Sequence, residues 1–254
     1  MTDNSEGETL NLLKIGNVRS KSYANSLMLK EEDVVVALDG VPFYGSAEKL
    51  SELLNENKEK KSLITLARKD ILFDISVFGS LGVKFTETTL EEKEQIDVLF
   101  KEHKIENIDT FVNYEVYRDL RRNYKIVDTS PAILSTVLPP VWLMHQRLYA
   151  PLALLMISYV LLYNISPWLF LIGWILVTIY MSKSATNLLR SSALIGNTGL
   201  WMIISANDLM KVQETIRFYD PKAKFSFSLV GPPSEDDEET ENKKSEIEEV
   251  ASTV

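Results

Sequence analysis

The chain contains no cysteine, which excludes disulfides, thiolate nucleophiles, Cys-ligated zinc and iron–sulfur clusters. Histidine is almost as scarce, and His103 and His145 alone cannot supply a multi-histidine metal site. No G-x-S-x-G, H-E-x-x-H or phosphate-binding glycine loop occurs, so no catalytic residue, metal, cofactor or small-molecule substrate is assigned. His103, among Lys101, Glu102 and Lys104, reads as a helix-surface residue; His145 and Asp208 read as interfacial. Basic residues are outnumbered, 27 against 36, and the net charge of −9 disfavours nucleic acid as a partner. That excess is concentrated from Ser234 onward, where nine acids and two lysines give −7 and leave residues 1–233 at −2. The acidic segment 232–254 follows Pro232-Pro233, lacks aromatics and is expected to be disordered.

Charge is missing altogether from the 35 residues between Arg147 and Lys183. A membrane span needs about 20 apolar residues, so this run is too long for one span. Asn164-Ile165-Ser166-Pro167 near its middle supplies a turn. The pattern predicts a transmembrane helical hairpin over 146–183, one helix over 146–163 and its return over 166–183. A soluble helix would keep a polar face, whereas Leu152 to Leu162 and Leu169 to Ile179 are apolar on nearly all sides. Arg118, Arg121, Arg122, Lys125 and Arg147 precede the hairpin and Lys183, Arg190 and Lys211 follow it, which places both chain ends in the cytoplasm. Trp142, Tyr149, Trp168 and Tyr180 fall where interfacial aromatics are expected, with Arg147 and Lys183 snorkelling at the span ends. The uncharged stretches 129–144 and 191–207 read as interfacial or re-entrant segments, a four-span arrangement being the alternative. The acidic, polar first residues lack the features of a signal peptide, so the hairpin is expected to act as the insertion signal.

Upstream, over 9–87, the chain reads as a small α+β domain of about 80 residues. Leu12–Val18, Asp33–Leu38, Leu63–Ala67 and Ile71–Val77 have strand composition, Asp39-Gly40 is a turn dipeptide, and Leu50, Leu53 and Leu54 recur at helical spacing within Ala47–Asn55.

The block from Ser22-Tyr23-Ala24 through Leu27, Leu29, Glu32-Asp33 and Val34–Leu38 to Asp39-Gly40 resembles a PDZ domain, as does Leu63–Arg68, a strand ending in arginine. Glu32 stands where that family usually has glycine. The family's ligand loop is matched by Phe78-Gly79-Ser80-Leu81-Gly82-Val83, which follows the last expected strand instead of preceding the first. The resemblance, covering about 75 residues, is therefore to a circularly permuted PDZ arrangement, and it implies a bacterial protein of the inner membrane. It also implies a peptide site in which the backbone N–H groups of Leu81, Gly82 and Val83 form a concave nest for a carboxylate. The bound peptide would pair with the strand through Phe85 and lie against the helix at Ala47 and Ser51, with Ser80 completing the loop. A Ser or Thr two places before a terminal Val, as in Ser252-Thr253-Val254, is an end that many PDZ domains accept, so a self-bound complex is conceivable.

Residues 88–128 are expected to form a helical connector, begun by the capping box Thr89-Leu90-Glu91-Glu92 and continued by Ile96, Leu99, Phe100, Ile108, Phe111, Val112, Tyr114, Tyr117, Leu120 and Tyr124. Arg118, Arg121 and Arg122 on it could face anionic headgroups. The expected architecture is thus a disordered N-terminus (1–8), an α+β PDZ-like small barrel (9–87), the α-helical connector, a membrane region (129–212), a juxtamembrane segment (213–231) and the tail. The expected function is that of a non-enzymatic membrane scaffold binding a partner's C-terminus or an extended peptide. The alternatives are assembly with an integral membrane complex or bilayer shaping by the hairpin, and, more remotely, an accessory role in a membrane protease.

Overall fold

Leu13–Asn17 forms β1 in the computed structural model of the chain, which describes residues 11–234 apart from 57, 104, 106, 131, 132 and 196. The expected N-terminal segment 1–8 and nearly all of the acidic tail, including Ser252-Thr253-Val254, lie outside the described residues. Ser22 caps the short helix α1 (Tyr23–Ser26) by accepting from the Asn25 N–H. The β-branched run Val34–Leu38 is β2, and Asp39-Gly40, both at positive φ (50° and 78°), turns it back into β3 (Val41–Pro42). Helix α2 (Ala47–Glu56) buries Leu50 and Leu54. The hairpin β4 (Ser62–Arg68) and β5 (Ile71–Val77) pairs residue for residue from Ser62↔Val77 to Arg68↔Ile71. Strand β6 (Lys84–Glu87) and the capping-box helix α3 (Leu90–Glu102) complete this part. Its framework is fixed by an ion pair: the fully buried Asp33 receives Arg68 Nε at 2.6 Å and Nη2 at 2.7 Å, while the guanidinium lies over the Phe73 ring.

The sheet does not stop there. After a single 3-10 turn (Ile108–Thr110) come β7 (Val112–Arg118) and β8 (Asn123–Asp128), then α4 (Ile133–Val137), α5 (Pro139–His145), α6 (Tyr149–Ile165) and α7 (Pro167–Leu194). The chain returns as β9 (Gly199–Ala206), α8 (Leu209–Tyr219) and β10 (Lys224–Phe225). Strand β9 inserts between β5 and β7, so all the strands join one ten-stranded mixed sheet in the order β10-β8-β7-β9-β5-β4-β2-β1-β6, with β3 on β2. Only the β8–β10 pair is parallel. One face packs Ile15, Val35, Ile64, Phe73 and Ile75 with Leu50 and Leu54 of α2 and Val212 and Ile216 of α8; the other packs Leu12, Val34, Val36 and Ala67 against Ile96 of α3.

The α+β class holds, but three sequence expectations are corrected. The connector 88–128 is helical only through Glu102; its second half is the hairpin β7–β8, because Tyr114 and Val116 fill one face of the sheet while Glu115 and Tyr117 are buried on the other. Residues 199–206 of the expected interfacial stretch are the buried strand β9, whose apolar run reflects cover on both faces. Of the bases expected to face headgroups, Arg118 and Arg122 pair with Asp220 at 3.6 and 3.2 Å, while Arg121 is exposed.

The hairpin is present as two antiparallel helices with Ser166 between them. Helix α7, with 28 residues, is the one described helix long and apolar enough to cross a membrane; α6 is as apolar but has 17. Most of their side chains face outward, and α7 runs past the expected end at 183 to Leu194, carrying the chain back to the sheet.

Candidate functional site

Strand β6 is an edge. It pairs with β1 through Leu13↔Glu87, Lys14↔Thr86, Ile15↔Phe85 and Asn17↔Lys84, and no described strand lies on its other side. A bulge at Gly16 accommodates this register, and a Cβ at Gly16 would come within 3.1 Å of the Thr86 methyl. Val83 and Phe85 are half-buried against the main core, as are Ala47 and Leu53 of α2. Ala47 and Ser51, one turn apart on α2, are both half-buried. The edge strand β6 and helix α2 thus both abut the main core.

The loop from Phe78 to Val83 joins β5 to this edge strand. Gly79 and Gly82 hold φ of 83° and 69°, which side chains with a Cβ rarely adopt. Leu81 anchors the loop: its side chain is buried in the main core and its carbonyl accepts from Ala24 N–H at 3.0 Å. Phe78 N–H donates to the Tyr23 hydroxyl at 3.3 Å. Ser80 is half-buried. The N–H groups of Leu81, Gly82 and Val83, by contrast, donate to no acceptor among the described residues. Consecutive amides left without a partner beside positive-φ glycines are an arrangement that accepts an anionic group. Two cations stand at the loop ends, Lys84 exposed and Lys58 with its side chain against Gly79.

Of the seven residues read from the sequence as a peptide site, Ser80, Leu81, Gly82 and Val83 form the loop before β6, Phe85 lies in β6, and Ala47 and Ser51 lie on α2. The expected interfacial residues are distributed differently. Arg147, Tyr149, Trp168, Tyr180 and Lys183 are exposed along the hairpin, but Trp142 is buried against Met181 and Ala185, because α5 lies down on the hairpin base. It is a packing residue and not a surface aromatic.

Several polar residues read as surface groups have structural partners. His103 ends α3 with its Nε2 2.9 Å from the carboxylate of buried Asp74, which also receives the Thr65 hydroxyl at 2.6 Å; the ring is therefore only partly exposed. Asp208 caps α8 by accepting from Lys211 N–H. Glu32, in the position where glycine was expected, takes a left-handed φ of 72°. Lys30 beside it has its pKa lowered by burial and by the Arg68 guanidinium. Among the described residues no cluster of three acidic or histidine side chains could hold a metal ion.

No known protein family matches the chain, and no curated protein shows significant similarity to it.

Proposed function

We propose that the chain is a membrane-anchored, non-enzymatic adaptor that captures the C-terminus of a partner protein, or an extended segment of it, by adding a strand to β6. The observation that carries this reading is the adjacency of an unpaired sheet edge, β6, and three unpartnered amides in the loop that leads into it. A peptide laid along Lys84–Glu87 gains main-chain hydrogen bonds, its side chains reach the shoulder of α2, and its terminal carboxylate receives Leu81, Gly82 and Val83 N–H. The PDZ resemblance supports this assignment, and two further facts agree with it. The family-like Asp33 and Arg68 contact each other, and Glu32 adopts the backbone conformation that glycine would supply. In this reading the hairpin anchors the adaptor in the lipid bilayer of a bacterial inner membrane, with both chain ends on the cytoplasmic side.

The test uses the full chain in detergent, since β9 is threaded between β5 and β7 and residues 1–90 are not a separate sheet. An array of peptides with free C-termini should yield ligands whose affinity falls at least tenfold on amidation of the terminus and again on Gly82→Glu. Ligands indifferent to both changes, or no ligands, overturn the reading.

A second reading makes the hairpin the active part, assembling with an integral membrane complex, and is motivated by the outward-facing apolar side chains of α6 and α7. Copurification of such a complex, unchanged by Gly82→Glu, favours it.

A further inference from the structure

Between Asp128 and Asp208 the chain has no acidic residue, and of the three cations in that interval Arg190 is paired with Glu115. Arg147 and Lys183 are left exposed and without an ion pair among the described residues, Arg147 just before α6 and Lys183 inside α7 where its uncharged stretch ends. Beside them lie α4 and α5, joined through Leu138 into an elbow that packs Trp142 and Leu143 onto the hairpin at the level of Val177, Met181, Ala185 and Leu188. The opposite side of the elbow is apolar and uncovered: Ile133 is 79% exposed, Val137 54%, Val141 43% and Met144 56%. The hairpin helices on which the elbow packs likewise carry exposed apolar residues, Leu154, Ile157, Leu176 and Ile179 among them.

The lengths give the elbow a role. The uncharged part of α7, 167–182, and the whole of α6 each extend about 24–26 Å at 1.5 Å per residue, short of the roughly 30 Å hydrocarbon layer. An apolar elbow lying across the base of the hairpin supplies cover where the helices fall short, and it brings Arg147 and Lys183 to phosphate depth.

We infer that the α4–α5 elbow is an interfacial membrane-contact element whose outer face, Ile133, Val137, Val141 and Met144, sits among acyl-chain ends, while Arg147 and Lys183 bind anionic phospholipid headgroups. The inference rests on the reading of the hairpin as membrane-embedded. The occupant is lipid and not protein because the elbow packs on an apolar hairpin and, among the described residues, the unpaired charges beside it are positive.

The absence of native cysteine makes the test direct. Single cysteines at Ile133→Cys, Val137→Cys and Val141→Cys, with Leu171→Cys on α7 and Val98→Cys on α3 as references, carry an environment-sensitive fluorophore. The full chain is reconstituted in vesicles of phosphatidylcholine alone or with phosphatidylglycerol, containing shallow or deep nitroxide quenchers. Elbow labels should be quenched at least twofold more by the shallow than the deep quencher, position 171 the reverse, and position 98 by neither. If 171 escapes quenching, the hairpin reading itself fails; if 171 is quenched while the elbow positions behave like 98, only the elbow assignment is overturned. Shallow quenching at position 141 should rise about twofold with phosphatidylglycerol, and Arg147→Ser with Lys183→Ser should remove that rise. Equal quenching in the two lipids overturns the headgroup assignment.

Discussion

Arg190 near the end of α7 closes a fork on Glu115 in β7, with Nη2 at 2.6 Å and Nε at 2.9 and 3.0 Å from the carboxylate oxygens. Tyr117 O–H donates to the same carboxylate at 2.9 Å, and Lys125 of β8 binds the Ser192 carbonyl two residues further on. The hairpin's return helix is thereby fastened to the sheet at the side chains of two adjacent strands, and Ala193 is buried against Tyr117 and Val127 at the same junction.

Replacing Arg190 by alanine leaves the Glu115 carboxylate buried without its counter-charge. The expected loss is about 2 kcal/mol, below the usual cost for a broken buried pair because the arginine is itself partly solvated. Chemical unfolding in detergent, followed by near-ultraviolet circular dichroism, measures it. Adding Glu115→Gln should recover part of the loss; equal stability of Arg190→Ala and the parent would show that the fork contributes nothing.

The same junction predicts an alkaline weakness. Burial, then the hydrogen bond to Glu115, pushes the Tyr117 phenol up to about 12, from about 10 in an unfolded chain. A folded-state pKa above the unfolded one contributes stability that is complete below pH ~10 and is lost as pH rises towards ~12. Tyr124, buried against Asp220, is shifted in the same direction. The unfolding midpoint should therefore fall between pH 10 and 12, and Tyr117→Phe should make that fall shallower. An unchanged slope in the variant would exclude Tyr117 as a source.

Glu32 pays a conformational penalty at φ 72°, on the order of 1–2 kcal/mol for a residue with a Cβ. Its N–H donates to the Ile15 carbonyl at 2.8 Å, so the turn is held by the backbone and not by the side chain. Glu32→Gly should raise stability by about 0.5–1 kcal/mol once the extra flexibility of glycine in the unfolded chain is set against the relief. A destabilised variant in the same unfolding assay would show that the carboxylate has a role of its own.

Which elements could be read from the sequence follows from where their partners lie. Strands β2, β4 and β5 have β-branched runs closed by local turns, Asp39-Gly40 and Lys69-Asp70, and the capping box of α3 is contained in four residues. The place of the glycine loop was readable for the same reason, since it follows β5 directly. Strands β7 and β9 were not, because each is covered on both faces by residues far away in sequence. In β7, Tyr114, Glu115, Val116 and Tyr117 are all buried, so no two-residue alternation survives, and the spacing of its tyrosines matches a helix by coincidence. The partner that explains Glu115 lies 75 residues downstream. In β9 the apolar run Leu200–Ile204 carries no sign that distinguishes a central strand from a membrane-facing segment. His103 was misplaced similarly: its charged neighbours along the chain suggested solvent, while its actual partner, Asp74, sits on a strand 29 residues earlier.

The joining of all ten strands also sets a reach. The hairpin is fastened at β8, and the edge strand β6 lies seven strand steps away, a contour of about 34 Å at ~4.8 Å per step. On the adaptor reading proposed above, a lipid-embedded partner covers that contour with roughly ten extended residues at ~3.4 Å each. On the proposed reading, the length of a partner's tail beyond its last membrane span becomes a selection criterion beside its terminal sequence.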